Sequence, residues 1–335
     1  MKKLLSVILA LVMILSLSTV AFAETTEEPV VPSDVETVTL KKYYKLTNDG
    51  TVNPAETFTF TEPKCIDVTD AAEGVTTATA PNVTIASVAF EEGTATVGGT
   101  LGNITLNLPE YNSVGIYTYT FKEVNNKVAG VTYRESEIKL VVTVIQGADG
   151  KIRVAAVHTE SEGGKSDSFD NTYSAGSLSV TKEVTGNLGD QSKLFDVTVT
   201  FTAPDGETVK SDITYSVAGG AKQTIDAGEG WTGSREVKIQ LKHGDTVKFD
   251  NIPYGVTYTV EESDYTGEHY DRAQYDNNQK GTIDDPSVTT KIINNKTSEI
   301  DTGIVLDSMP YVLLLAVAAM GLAVLLTKKR ASRED

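Results

Sequence analysis

The chain has 335 residues, one cysteine and a formal net charge of −17, from 46 Asp and Glu against 29 Lys and Arg. A single cysteine excludes an internal disulfide, and an acidic chain without a basic patch argues against nucleic acid as a partner. The histidines, His158, His243 and His269, lack the spacing of metal ligands. We therefore expect no metal and no other cofactor.

The two ends of the chain carry apolar segments. Residues 1–23 combine Lys2 and Lys3, an apolar run and a closing Ala-Phe-Ala, which predicts a secretory signal peptide. Residues 308–327 contain no charge and are long enough for a transmembrane helix, which needs about 20 residues. The basic Lys328–Arg330 follows directly, as expected on the cytoplasmic side. The sequence between these segments is therefore predicted to be extracellular.

The exported region alternates apolar and polar residues, as in "YTYTFKE" and "LFDVTVTFTAPDG", with Gly, Asn, Asp and Pro between the segments. This period of two is typical of strands. We predict an all-β fold with two tandem immunoglobulin-like β-sandwich domains, at residues 24–174 and 175–298. Small residues at 172–177, "TYSAGS", mark the boundary. Residues 299–335 form the C-terminal tail.

Three short stretches recur in the same order in both halves. The first half contains "VTLKK", "YTFKE" and "FDNTY", and the second contains "LSVTK", "YTVEE" and "INNKT". Alternate residues of a strand share one face, so Lys42, Glu123 and Asn171 are predicted to point into the core of the first domain.

By the same alternation, the second domain is predicted to point Lys182, Glu262 and Asn295 into its own core. A β-bulge would exchange an inward residue for its neighbour. The neighbours at risk in the two domains are Lys41, Glu261 and Asn294.

A buried Lys, Glu and Asn suggest a specific reaction. Burial lowers the pKa of a lysine and raises that of a carboxyl group, so the pair can exist as a neutral amine beside a neutral acid. The amine can attack the Asn Cγ while the acid shuttles protons, releasing ammonia and leaving an isopeptide bond. Such a bond is a single-turnover staple, in a chain that has no disulfide. The alternative is a strand-end lysine whose ammonium reaches solvent.

With these motifs between an export signal and an anchor, the sequence resembles the backbone (major) pilins of Gram-positive bacteria, streptococcal T-antigen type. The resemblance implies an N-terminal pilin isopeptide-linkage domain followed by a Cna B-type domain. It implies that Lys42 bonds to Asn171 with Glu123 as catalytic acid, and that Lys182 bonds to Asn295 with Glu262 as catalytic acid.

The resemblance further implies attachment by sortase, which cuts between Thr and Gly of a sorting motif before the apolar segment. Here the pair is Thr302-Gly303 in "EIDTGIV", which departs from the usual LPxTG. The partners implied are sortase, other copies of the chain in a head-to-tail polymer, peptidoglycan or a basal pilin, and host surface ligands. The linking lysine is predicted at Lys165, shortly before Asn171.

The sequence thus predicts a structural subunit of a covalent, cell wall-anchored pilus, and not an enzyme that turns over a separate substrate. The alternative is a wall-anchored adhesin or a minor pilin displayed as a monomer. A pilin forms detergent-resistant ladders with its sortase, whereas an adhesin gives a single band.

Overall fold

The computed structural model describes residues 34–161, 164–299 and 309–331. It is 49% strand and 7% helix, which confirms the prediction of an all-β fold. The predicted signal peptide at 1–23 and the Thr302-Gly303 pair lie outside the described residues.

The strands of the first half form two main sheets and a small two-stranded one. The strands are β1 (Thr37–Leu46), β2 (Glu56–Phe58), β3 (Lys64–Thr69), β4 (Thr84–Ile85), β5 (Val88–Phe90), β6 (Thr100–Asn107), β7 (Gly115–Phe121), β8 (Ile138–Gln146), β9 (Ile152–Ser161), β10 (Gly164–Lys165) and β11 (Ser168–Tyr173). One sheet has the order β11-β1-β6-β4, another β10-β9-β8-β7-β3, and β2 pairs with β5.

The second half repeats the two-sheet arrangement. Its strands are β12 (Ala175–Thr185), β13 (Phe195–Thr202), β14 (Ile213–Val217), β15 (Gln223–Ile225), β16 (Ser234–Leu241), β17 (Thr246–Pro253), β18 (Thr257–Glu262), β19 (Gln274–Asp276), β20 (Lys280–Thr282) and β21 (Ser287–Asn295). The six-stranded sheet has the order β15-β14-β17-β12-β21-β19, and the four-stranded sheet has the order β16-β13-β18-β20.

Alternation along the strands builds the core of each half. In β7, the side chains of Tyr117, Tyr119 and Phe121 are buried, whereas the threonines between them are half-buried. The strand β13 repeats the pattern with Val197, Val199 and other apolar residues inward. Because successive side chains point to opposite faces, each strand presents one apolar face to the facing sheet.

The first and last strands of each half lie side by side and run parallel. In the first half, β1 pairs with β11, with Lys42 opposite Phe169. In the second, β12 pairs with β21, with Lys182 opposite Ile292. Two parallel strands cannot be joined by a tight turn and need a long connection. In both halves, this connection is the rest of the domain, which lies between the two paired strands in sequence. A bond between these strands would close the whole domain into one loop.

Direct contacts join the two halves. The side chain of Asn251 accepts a hydrogen bond from Val52 N at 2.9 Å and donates one to Val52 O at 3.1 Å. The Tyr173 hydroxyl donates to Ser211 Oγ at 2.7 Å. The side chain of Ala129, from the first half, packs into the hydrophobic core of the second. The halves therefore share a packed and hydrogen-bonded joint.

The helix α1, Met309–Ala331, lies where the sequence predicts a span at 308–327. In the parts of the chain that the structure describes, no helix has the length and apolar character needed to cross a membrane.

Candidate functional site

The first candidate site is built around Lys42 in the middle of β1. The side chains of Leu40, Lys42 and Tyr44 point into the core in succession, and that of Lys42 is 0% exposed. Its Nζ lies 4.7 Å from the centre of the Phe58 ring and 5.9 Å from that of Phe60. A lysine in this position has no path to solvent, which excludes the alternative of a strand-end lysine that reaches water.

Glu123 and Asn171 complete a closed hydrogen-bonded triad with Lys42. The Lys42 Nζ donates to Glu123 Oε2 at 2.6 Å and also donates to Asn171 Oδ1. The Asn171 Nδ2 donates to Glu123 Oε1 and, at 2.8 Å, to the carbonyl oxygen of Thr132. The structure therefore brings together the three residues predicted for the first domain, and both oxygens of the carboxyl group are engaged.

Burial dominates the electrostatics of the first site. Removal from water lowers the pKa of Lys42, against the opposing attraction of Glu123. Desolvation disfavours the charged ammonium and so favours the neutral amine, which is the nucleophilic form of lysine.

The second candidate site is centred on Lys182 in β12, whose residue exposure is 1%. Its Nζ lies 4.3 Å from the centre of the Phe195 ring and 3.2 Å from Glu262 Oε2. It also donates hydrogen bonds to Asn294 Oδ1 and, at 3.3 Å, to the carbonyl oxygen of Glu183. This half of the molecule therefore also places a lysine, a carboxyl group and an asparagine side by side.

The asparagine at the second site is Asn294, and the expectation that Asn295 faces the core is wrong. On β21, Thr290, Ile292 and Asn294 are the buried alternate residues. The carboxamide of Asn295 instead accepts from Thr185 Oγ1 at 3.2 Å and donates to Asp271 at 2.8 Å. Two isoleucines and two asparagines stand in tandem here, so the sequence fits either phase, and the phase is set by the pairing of β21 with β12.

The carboxyl group of Glu262 is buried without full hydrogen bonding. Its side chain is 1% exposed, and within the described residues neither of its oxygens makes a hydrogen bond of good geometry. Burial raises the pKa of Glu262, against the attraction of Lys182, and burial lowers the pKa of Lys182 in turn. Both shifts favour a neutral acid beside a neutral amine.

The arrangement can support one reaction in each half. An amine in contact with a carboxamide is placed for attack, and the adjacent acid can carry protons from the amine to the departing amide nitrogen. Sequence reasoning missed the aromatic rings that cover both amines and the Thr132 carbonyl that holds the Asn171 amide. The apolar alternation of "TFTFTEP" around Phe58 is the signal that could have identified the first ring.

Lys165 lies on β10 at the edge of the five-stranded sheet, opposite Glu160. It is exposed. Two residues further on, the Asp167 carbonyl oxygen accepts a hydrogen bond from Lys41 N at 2.7 Å, so the chain reaches β1 directly after Lys165. From there β11 leads to Tyr173, at the joint with the second half.

Comparisons with known proteins cover both halves. Residues 38–174 match the family described as Spy0128-like isopeptide containing domain. Residues 176–296 match a family described as a domain of unknown function, DUF7601. A curated protein named pilin, from Streptococcus pyogenes serotype M1, is 28% identical over 244 aligned positions, and the match covers 66% of this chain and 69% of that protein.

Solved structures share the fold. The crystal structure of the major pilin from Streptococcus pyogenes matches with a TM-score of 0.53 and 21% identity, over 79% of this chain and 100% of that one. The major pilin T3.2 of the same species matches with a TM-score of 0.54 and 19% identity, over 79% of this chain and 99% of that one. The isopeptide domain family over residues 38–174, the curated relative and the shared fold together support a structural subunit of a surface pilus, similar to the streptococcal major pilins.

Proposed function

We propose that the chain is a covalently polymerised shaft subunit, stapled by a self-formed isopeptide bond in each domain. The observation that carries the proposal is the buried Lys, Glu and Asn triad, present twice, at the junction of the parallel first and last strands. A buried charged pair often gives no net stability over apolar residues, so two such clusters in the cores need a chemical reason.

In each domain, the neutral lysine Nζ attacks the asparagine Cγ. A bond forms between Nζ and Cγ, and the bond between Cγ and Nδ2 breaks after that nitrogen has gained a proton. The carboxyl group carries the proton from the amine to the leaving nitrogen, and one ammonia is released for each bond. The bonds join Lys42 to Asn171, with Glu123 as the acid, and Lys182 to Asn294, with Glu262 as the acid.

Assembly and anchoring use the C-terminal tail at 299–335. Sortase cleaves between Thr302 and Gly303 and transfers the Thr302 acyl group to a lysine of another copy, or to peptidoglycan or a basal pilin. The apolar residues 308–327 and the basic tail hold the precursor at the membrane until cleavage. The supporting observation is the order of these features in the sequence.

Lys165 is the proposed acceptor lysine. Its exposure and its edge position on a two-residue strand give sortase access to the amine. The described C-terminal end of the second domain follows β21, which runs away from the joint between the domains. Linkage of Thr302 to Lys165 of the next copy would therefore give a head-to-tail polymer.

Intact mass of the exported span, residues 24–302, tests the staples. We expect the mass to fall short of the sequence mass by two ammonia molecules. Each of Lys42→Ala and Lys182→Ala should reduce this deficit by one ammonia. Lys41→Ala is the matched control and should keep the full deficit, because the Lys41 side chain points outward. A mass equal to that of the unmodified chain would overturn the staples.

Co-expression with the cognate sortase tests polymerisation. The full chain should form a ladder that resists sodium dodecyl sulfate, and Lys165→Arg should abolish it while leaving both internal bonds intact. A ladder that persists in Lys165→Arg would assign the linkage to another lysine. A single band for the wild type would favour the monomeric adhesin.

A further inference from the structure

Glu56, on β2, is a buried acid that takes no part in either triad. Its exposure is 3%, and Phe58, the next inward residue of the same strand, covers the Lys42 amine. Within the described residues, Glu56 Oε2 has no hydrogen-bond partner and no ion pair includes Glu56. A carboxyl group buried in this way costs free energy, so Glu56 needs a compensating role.

The other oxygen of Glu56 holds both ends of one chain segment. Glu56 Oε1 accepts hydrogen bonds from Asn126 Nδ2 at 2.5 Å and from the Tyr133 hydroxyl at 3.0 Å. The Tyr133 ring also packs against that of Phe58, with 5.9 Å between the ring centres. Residues 126–133, the clamp segment, are therefore fastened to β2 at both ends.

The clamp segment carries the carbonyl group that holds the Asn171 carboxamide. The Thr132 carbonyl oxygen accepts from Asn171 Nδ2 at 2.8 Å, and the same nitrogen donates to Glu123 Oε1. Both N–H groups of the carboxamide are thereby engaged, while its Oδ1 accepts from Lys42 Nζ. Thr132 thus helps to fix which way the carboxamide is turned, with its oxygen toward the amine and its leaving nitrogen toward the acid.

Two sets of contacts hold Thr132 in place. Along β11, Thr132 N donates to the Thr172 carbonyl oxygen at 2.9 Å, and Thr172 N donates to Thr132 Oγ1 at 3.0 Å. The adjacent Tyr133 is half-buried and reaches Glu56. Without Glu56, the clamp segment would keep its contacts along β11 but lose the hydrogen bonds that fasten it to β2.

We propose that Glu56 is a positioning residue for the first bond, because it fastens the clamp segment so that Thr132 keeps Asn171 turned for attack by Lys42. The inference rests on the proposed function of the triads. Small misplacements of reacting groups cost large factors in rate, so loss of the fastening slows the bond even in a domain that still folds. The property required of Glu56 is an oxygen that accepts hydrogen bonds, and not its charge.

The rate of bond formation in newly made chains tests the proposal. The full chain is synthesised in a cell-free reaction with detergent, synthesis is stopped after a short pulse, and samples are denatured at intervals. Digestion and mass spectrometry then quantify the peptides cross-linked through Lys42 and through Lys182 separately. Glu56→Ala should slow the Lys42 bond by about tenfold or more. The Lys182 bond should form at the wild-type rate and serves as the internal reference.

Two control variants separate positioning from stability. Glu56→Gln keeps an oxygen that can accept from Asn126 and Tyr133, so it should form the Lys42 bond at close to the wild-type rate. Val142→Ala removes buried apolar volume from β8 in the first domain. It weakens the domain without changing a hydrogen bond of the clamp segment, and it should also leave the rate of the Lys42 bond close to that of the wild type.

A second variant keeps the test decisive if Glu56→Ala fails to fold. Tyr133→Phe removes the hydroxyl that Glu56 holds and keeps the ring against Phe58, and it should also slow the Lys42 bond. The proposal is overturned if the alanine variant, or Tyr133→Phe in its place, forms this bond at the wild-type rate. It is also overturned if Val142→Ala or Glu56→Gln slows the bond as much. Absence of both bonds in the wild type would instead overturn the proposed function.

Discussion

The two halves of the molecule contain the same three residue types at equivalent strand positions but surround them differently. At the first site, Lys42, Asn171 and both oxygens of Glu123 form a closed hydrogen-bonded set. At the second, the carboxyl oxygens of Glu262 make no well-formed hydrogen bond within the described residues. Burial against aromatic rings is common to both sites. Desolvation of the lysine is therefore the shared requirement, whereas the polar environment of the acid can vary.

The two proposed bonds also differ in their relation to tension. In a polymer linked through Lys165 and Thr302, force enters the chain just before β11 and leaves it after β21. The second bond would then lie on the line of force and would bypass the chain between Lys182 and Asn294. The first bond would lie beside that line, since β1 precedes Lys165 in sequence. Its effect would be to hold β11 in its sheet.

Pulling experiments give the largest predicted difference. A single molecule held at Lys165 and at its C-terminal end should extend little. Lys182→Ala should release the chain between Lys182 and Asn294, which are 112 positions apart, for an added length of about 380 Å at about 3.4 Å per residue. Single-molecule force spectroscopy measures this step.

The matched variant in the first domain is Lys42→Ala, which should give no step of that size. The segment between Lys42 and Lys165 lies outside the loaded part of the chain, so only the short stretch around β11 can straighten. Equal steps in the two variants would contradict the proposed line of force and the use of Lys165.

The bonds should stabilise the two domains to a similar degree. Each closes a loop of similar length, 129 positions for Lys42 and Asn171 and 112 for Lys182 and Asn294. If the chain-entropy relation for disulfides holds for such cross-links, each bond contributes about 5 kcal/mol to the free energy of unfolding of its own domain. Lys42→Met and Lys182→Met should lower that free energy accordingly, one domain at a time.

Intrinsic fluorescence can separate the two domains during unfolding. The single tryptophan, Trp231, is buried in the core of the second domain, so its emission during urea unfolding reports that domain. Circular dichroism follows the whole chain. The assignment of the bonds would be contradicted if Lys42→Met lowered the stability of the second domain alone, or Lys182→Met that of the first alone.

A pair of adjacent asparagines sharpens the assignment at the second site. Asn294→Ala should abolish the Lys182 bond, because the carboxamide that contacts Nζ is removed. Asn295→Ala should leave the bond intact and cost about 1 kcal/mol through the lost hydrogen bond to Asp271. Mass spectrometry shows which variant has lost the bond. A bond lost only in Asn295→Ala would mean that Asn295, and not Asn294, is bonded to Lys182.

The sequence predicted the all-β fold because the alternation of buried and exposed residues is a local property of strands such as β7. The inward phase of Lys42 and Lys182 could be predicted for the same reason, since each follows two apolar residues on one face. The phase of the last strand of the second domain could not. In "IINN" both registers place an isoleucine and then an asparagine inward, so only the tertiary pairing of β21 with β12 distinguishes them.

The Thr132 carbonyl could not have been found from the sequence. It reaches the first site because Val131 and Thr132 are held against β11 by backbone contacts with Tyr173 and Thr172. Such contacts depend on the path of a segment between strands, and the residues of that segment have no period that would predict its partner.

The pH dependence of stability tests the buried pair at the second site. In Asn294→Ala the second domain should fold without its bond, with Lys182 and Glu262 still buried. The raised pKa of Glu262 means that the folded state keeps a proton that the unfolded state releases above about pH 4.3. Stability should therefore fall as pH rises from there toward the raised pKa, by about 1.4 kcal/mol for each pH unit that separates the folded and unfolded pKa values.

Lys182 acts with the opposite sign at higher pH. Its lowered pKa means that the unfolded state binds a proton that the folded state lacks, so stability should rise again as pH approaches the unfolded value of about 10.4. We expect urea unfolding of Asn294→Ala, followed through Trp231, to show a minimum in the free energy of unfolding between about pH 4.3 and about pH 10.4. Adding Glu262→Gln should remove the fall in stability at acidic pH and leave the rise at alkaline pH. A flat profile in Asn294→Ala would mean that burial does not displace either group, and the neutral pair on which the second bond depends would then be excluded.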